Sequence, residues 1–322
     1  MASPRTAPES PADLPKRAWL GTLKRTIGGF RDDNITDWAA ALTYYAVLSI
    51  FPALIAMMSI LGLVVDQATI TRVITDTVTQ IGPRSAVDTF TTPLEQISEN
   101  RSTALFGLIA GISLALWTAS NYVGAFMRAS NAVYDREEGR PFWKLKPLQL
   151  LVTLVIVLLA ALVVVALIVS GPVAEAIGSA IGVGDAAVTV WDIAKWPVML
   201  VVVMLMLAIL YWAAPNAKPA GFRWISPGSV VAVLVWIVAS AGFAFYAANF
   251  GSYGATYGAL GGVIVFLVWL WITNIAVLLG SELNSETERS REIEAGVPGA
   301  EKEIKAPYRD APKDEREPAT RS

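Results

Sequence analysis

The groups best placed to do chemistry in this sequence are uncharged and sit inside long apolar stretches. Thr43, Tyr44, Tyr45 and Ser49 occupy the first stretch, with Pro52 just beyond them. Ser113, Thr118, Ser120 and Asn121 occupy the second, and Thr273 and Asn274 the last. A hydroxyl or carboxamide surrounded by hydrocarbon must find a polar partner, because leaving it bare costs free energy. The partner is either a neighbouring helix, through a hydrogen bond contributing about 0.6–2 kcal/mol, or the polar part of a bound molecule. Charges are confined to the edges: Asp37 precedes the first stretch, Arg128 follows the second and Glu282 ends the last. A bidentate contact from Arg128 to Glu282 or Asp37 is expected where water is scarce. The plainer alternative is that all three snorkel into the interface.

Several chemistries are closed off. The chain has no cysteine and no histidine, so disulfides, Cys/His zinc sites, cysteine nucleophiles and Ser–His triads are excluded. No phosphate-cradling glycine loop is present. No metal or cofactor is implied, no catalytic residues are assigned, and the chain is not expected to be an enzyme. A net charge of −2 gives no reason to expect nucleic acid as a partner. With no charge inside the apolar cores, an ion or proton pump is disfavoured, since pumps place ionisable groups there. Glu282 is the one residue that keeps a proton-driven mechanism open.

The elements that must position these groups follow from composition. The chain is 54% hydrophobic and 16% charged with a mean hydropathy of +0.52, where a soluble domain carries about 25% charged residues. Six apolar blocks run over about 39–65, 103–127, 148–170, 196–214, 225–248 and 258–281. Each is long enough to cross a hydrocarbon core of about 30 Å at about 1.5 Å per residue. Pro52 predicts a kink in the first. Lys and Arg number six in 1–38, five in 128–147, two in 214–224 and eight in 284–322, against three in 66–102 and none in 171–191 or 249–257. Positive segments stay inside, which places both termini in the cytoplasm of a plasma membrane.

Before the first block, Trp19, Leu20, Leu23, Ile27 and Phe30 recur at helical spacing, with Lys16, Arg17, Lys24, Arg25 and Arg31 on the other face. That pattern predicts an amphipathic helix lying in the membrane interface. Residues 1–14 are expected to be a disordered leader and 285–322 a disordered, charged cytoplasmic tail. The segment between the first two blocks carries two apolar stripes that predict short amphipathic helices. Gly254, Gly258 and Gly262 repeat every four residues, and Gly107 and Gly111 match them. Such small-xxx-small seams predict close helix packing. Trp38, Trp143, Trp191, Trp196, Tyr211, Trp212 and Trp224 fall at block ends, as in an interfacial aromatic belt. Trp117, Trp236, Trp269 and Trp271 lie deeper and are expected between helices.

Several of these blocks together resemble one family. AAALTYYAVLSIFPALIAM at 39–57, WTASNYVGAFMRASNAVY at 117–134, LYWAAPNAK at 210–218, ISPGSVVAVLVW at 225–236 and the glycine-rich run from 249 to 284 stand in the order of the YihY/BrkB family of bacterial membrane proteins. The resemblance covers roughly residues 20–285. It implies a six-span α-helical membrane protein with cytoplasmic termini, and carries over no catalytic or binding residue. Some members bear the label ribonuclease BN, a transfer-RNA-processing nuclease. The missing His, Cys and carboxylate cluster speak against that chemistry here.

The expected protein is all-α and polytopic, with residues 15–284 as the membrane domain. Membrane lipids are its partners, homo-oligomers are compatible with it, and nucleic acid is not a partner. The leading expectation is a transporter or lipid-handling protein for an amphiphilic substrate. Its groove would carry Tyr44, Tyr45, Ser49, Pro52, Ser120, Asn121, Tyr253, Tyr257 and Asn274. A scaffold in envelope assembly is the alternative.

Overall fold

The computed structural model describes residues 13–64, 101–169, 184–218, 226–250 and 259–312, together with residues 8, 174 and 179. Among them are seven helices: α1 (Lys16–Asp32), α2 (Ile35–Val64), α3 (Arg101–Val133), α4 (Phe142–Ile168), α5 (Asp185–Ala213), α6 (Pro227–Phe250) and α7 (Ala259–Glu294). One isolated antiparallel bridge, Ala217 with Tyr308, is the β-type pairing recorded among the described residues. Five helices are long and apolar enough to cross a membrane, within Ile109–Val133, Phe142–Val163, Ala186–Ala213, Pro227–Tyr246 and Gly261–Glu294.

Two apolar blocks are longer as helices than hydropathy suggests. The fourth, expected from 196, begins at Asp185 in α5, because Asp192 and Lys195 pair at 2.7 Å and so tolerate a helical position. The last, expected to end at 281, continues to Glu294 in α7. The expected tail is therefore ordered through residue 312, and Ala300, Ile304 and Ala306 are buried. Its charges look like a solvated segment in sequence, yet they are spent on specific partners, as shown below. Pro52 lies within α2, which remains one helix. The two short helices expected over 66–100 lie outside the described residues.

Compactness divides the chain into two units, residues 44–122 and the remainder. In the first, polar side chains close on their own helix. Ser49 donates to the Tyr45 carbonyl at 2.8 Å, Thr118 to that of Leu114 at 2.9 Å, and Ser120 to that of Trp117 at 2.6 Å. Trp117, expected between helices, is exposed.

In the larger unit α7 is the spine. α6 runs antiparallel to it: Trp236 donates to Thr273 and Trp269 to Ser240, both at 3.2 Å. At the end of this pair a glycine meets a glycine. A Cβ on Gly228 would lie 2.0 Å from the Gly280 carbonyl, and one on Gly280 would lie 2.4 Å from the Tyr211 hydroxyl. Bare backbone at both positions is what lets the helices touch. The start of α6 is fixed there too. Ser226 and Ser229 cap each other's amides at 3.0 Å, Pro227 takes the first helical position, and Asn284 of α7 accepts from the Gly228 amide at 2.9 Å. Tyr211, expected in the aromatic belt, is buried and donates to the Val277 carbonyl at 2.7 Å.

The close approach is thus Gly228–Gly280 and not Gly262, where an added Cβ would meet open space. Gly254 and Gly258 lie outside the described residues; Gly107 and Gly111 lie within α3. Gly228→Ala should lower stability by about 1–3 kcal/mol through overpacking, read as a fall of several degrees in the thermal midpoint in detergent. Gly262→Ala should leave the midpoint unchanged or raise it, because alanine favours the helix.

Candidate functional site

Two polar clusters form where the apolar helices end, and both belong to the larger unit. The first is built on the corner between α1 and α2. α1 turns Thr22 and Thr26 inward and runs antiparallel to the last turns of α7. Thr22 and Ser290 share a hydrogen bond of 2.6 Å, Arg25 binds Glu286 and Ser290, and Arg17 reaches Glu294 at 3.5 Å. Asn34, in the left-handed region at φ 53°, makes the corner, a conformation asparagine tolerates better than most residues. The corner places Asp33 against Glu282.

Glu282 is 2% exposed, and its Oε2 has no hydrogen-bond partner. Its Oε1 lies against Gly29, where a Cβ would come within 2.1 Å of it and 3.5 Å of Asp33 Oδ2. The two carboxyl groups thus converge on one side of Gly29. Burial lifts the Asp33 carboxyl above its ordinary range, while the bond from Glu282 works the other way. The groups acting most strongly on Glu282 are the carboxylates Asp33, Glu286 and Asp135. Glu282 lies beside Asp33; the side chains of Arg128 and Asp37, the other members of the expected ion-pair set, are exposed.

The second cluster is a clasp around Asn216, which is fully buried. Its amide donates to Asn131 Oδ1 at 2.6 Å. Its carboxamide donates to the carbonyls of Glu137 at 2.9 Å and Asp310 at 2.8 Å, and accepts from the Asp310 amide at 3.1 Å. Arginines complete the clasp by gripping carbonyls. Arg140 caps the end of α5 through Ala213 and Ala214, Arg136 holds Ile304 and Ala306, and Arg309 holds Ala217. Helix ends leave carbonyls without intrahelical partners, and burying them demands donors. Burial opposes ionisation of Glu138, but Arg140 at 2.7 Å outweighs it and holds that carboxyl below its usual range.

The candidates inside the apolar stretches fare differently. Tyr44, Tyr45, Ser49, Ser120 and Asn121 belong to the smaller unit, and Asn274 to the larger. Asn274 donates to Thr43 at 3.1 Å, a hydrogen bond between helices. Tyr44 and Tyr45 stack edge to face with centroids 5.4 Å apart, and Tyr44 is 61% exposed. Tyr253 and Tyr257 lie outside the described residues. Among the described residues no three metal-binding side chains gather. Sequence reasoning missed Asp33, Asn216 and the clasp arginines. Asn216 could have been found, since it directly follows Pro215 where the fourth apolar block ends.

Apolar helices of membrane-crossing length joined by polar, hydrogen-bonded ends define an integral membrane protein with several spans. The family model described as Virulence factor BrkB matches residues 26–305, and the chain belongs to that family. It is 31% identical over 260 residues, 79% of this chain and 90% of the relative, to a protein of Bacillus subtilis (strain 168) named "Putative ribonuclease-like protein YfkH". It is 34% identical over 79 residues to a "UPF0761 membrane protein" of Tolumonas auensis, covering 24% of this chain and 25% of that one. No solved structure matches.

Asn216→Ala removes three side-chain hydrogen bonds, worth about 3 kcal/mol at about 1 kcal/mol each. Tryptic cleavage at Lys302, Lys305 and Arg309 should then accelerate by about two orders of magnitude, with the apolar helices retained.

Proposed function

We propose that this chain is a six-span protein of the bacterial plasma membrane, with both termini in the cytoplasm, that moves or handles an amphiphilic, lipid-like substrate. Two features support the topology. The α3–α4 connection, the residues after α5 and the tail meet in the clasp, and α1 lies along the end of α7. Segments that share one end require each intervening stretch to go out and return, and α2, with 30 residues, is about 45 Å long. The excess of Lys and Arg in the same segments supports an inward placement. On α1, Leu20, Leu23 and Ile27 are exposed beside Lys16, Lys24 and Arg31. That arrangement supports an apolar face resting in the inner headgroup layer.

The observation that carries the functional reading is Tyr44. It lies nine residues into α2, about 13 Å from the helix start, and is exposed. Counted from the start of the apolar block at 39, it sits about five residues, roughly 7 Å, along the hydrocarbon-facing stretch. A phenol at such depth needs a polar partner, and a ring beside a hydroxyl suits a molecule with an apolar body and a polar group. Handling lipid-like molecules is then what α2 contributes, with Tyr45, Ser49, Ser120 and Asn121 in the same unit.

Tyr44→Phe keeps the ring and removes the hydroxyl. In proteoliposomes carrying fluorescent phospholipids the variant should fold normally and translocate about tenfold more slowly, the loss of one hydrogen bond. Native mass spectrometry of wild-type protein should show lipid at fixed stoichiometry, reduced in the variant. No translocation by wild type, with lipid retention indifferent to Tyr44, would favour a scaffold in envelope assembly.

A further inference from the structure

We propose that Asp33 and Glu282 form a proton-binding site that fastens the α1–α2 corner to α7, and that loss of the proton frees the corner. The site does not depend on what the protein carries.

Its geometry is that of a niche cut for two carboxyl groups. Gly29 forms one wall, and only the missing Cβ leaves room for Glu282 Oε1. Asp33 comes from the corner, and its Oδ2 lies 3.5 Å from the same Gly29 Cβ position that Glu282 Oε1 approaches to 2.1 Å. Two carboxyl groups hydrogen-bond only when one keeps its proton. Glu282, at 2% exposure, is the more buried of the two, so the proton rests on it and Asp33 accepts.

Among the described residues no ion pair to Asp33 or Glu282 is seen. On α1 and α7, Arg25 and Arg289 are both engaged by Glu286. Besides burial, the groups acting most strongly on the pair are Asp32 beside the corner, Glu286 on α7 and Asp135 just after α3, all acidic. Tyr134, just after α3, is buried, and burial makes its hydroxyl a poor anion. A second, independent sign is Glu282 Oε2, buried and without a partner. An ionised carboxylate with a bare oxygen in that place is costly; a neutral acid is tolerated.

Deprotonation moves one proton to water and leaves two carboxylates in contact, which repel. The pair shares one proton that two separated, solvated carboxylates would give up at lower pH. The contribution of that shared proton to docking is therefore full in acid and fades as pH rises through the value at which the folded pair releases it. α1 is otherwise held by Thr22–Ser290, Arg25–Glu286 and Arg17–Glu294, contacts that can open and reclose.

The absence of native cysteine makes the test direct. Spin labels at Lys24→Cys and Lys302→Cys, both exposed, report the separation of α1 from the segment that follows α7. In nanodiscs the full chain should give one narrow distance distribution at about pH 6 and a second, longer population at about pH 10. Glu282→Gln cannot ionise and still donates to Asp33, so it should stay narrow at both values. Should that variant fail to fold, Asp33→Asn serves the same purpose, donating to Glu282. An unchanged wild-type distribution, or a neutral variant that opens as wild type does, overturns the site. Restoration of the narrow distribution at high pH by added sodium or calcium ions would make a metal cation the occupant and overturn the proton.

Discussion

A helix that leaves hydrocarbon for water keeps its backbone bonded but must change what its side chains touch. α7 does this without a break over 36 residues. In its apolar part it offers Trp269, Thr273 and Gly280 to α6; in its polar part it offers Glu286, Ser290 and Glu294 to α1. Both partners run antiparallel to it, so the registration of α6 and that of α1 are fixed by one rod. Glu282 marks the changeover. There a buried carboxylate on α7 comes beside a second acid, Asp33, from the α1–α2 corner.

The clasp solves a related problem at the other helix ends. α3 and α5 stop in a crowded region where the final carbonyls cannot all reach water. Guanidinium groups are suited to this, since each presents several donors in a fixed plane. Arg140, Arg136 and Arg309 are used on main-chain oxygens more than on carboxylates. A carboxamide donates and accepts through separate atoms, and Asn216 does both with the main chain of Asp310. The tail is thereby ordered by main-chain hydrogen bonds, with modest help from the three small apolar anchors Ala300, Ile304 and Ala306.

Much of the architecture was legible in the sequence, because hydrocarbon imposes a minimum length on every crossing. The blocks at 103–127, 148–170 and 225–248 coincide with α3, α4 and α6 to within a turn or two. What hydropathy cannot register is a helix that continues after its surroundings change, as α7 does past residue 281. Charge content also misleads where charges are paired: 285–312 reads as solvated, yet Glu286 is spent on Arg289 and on Arg25 of α1. A glycine repeat every four residues is a strong pattern, but Gly262 faces open space while single glycines, Gly228 and Gly280, meet. Contact depends on which face turns inward, and an isolated glycine carries no periodic signal. Asp33 was overlooked because an acid next to an acid reads as ordinary solvated charge, and its partner is about 250 positions away.

That separation has a consequence for how the molecule is made. Spans enter a membrane in the order of synthesis, and α1 is produced first. Thr22 must wait for Ser290, Arg17 for Glu294, and Asn216 for Asp310. Contacts so distant along the chain form slowly, since the ends of a long loop must meet before any reward is gained. Until the tail has been released, α1 stands without its partner, Glu282 has no neighbour and the buried carbonyls of the clasp are bare. A nascent chain is therefore chemically distinguishable from a finished one on that side of the membrane. A shortened chain lacking residues 304–312 would insert its spans and yet carry the mark of an incomplete protein, open to the proteases that remove such chains.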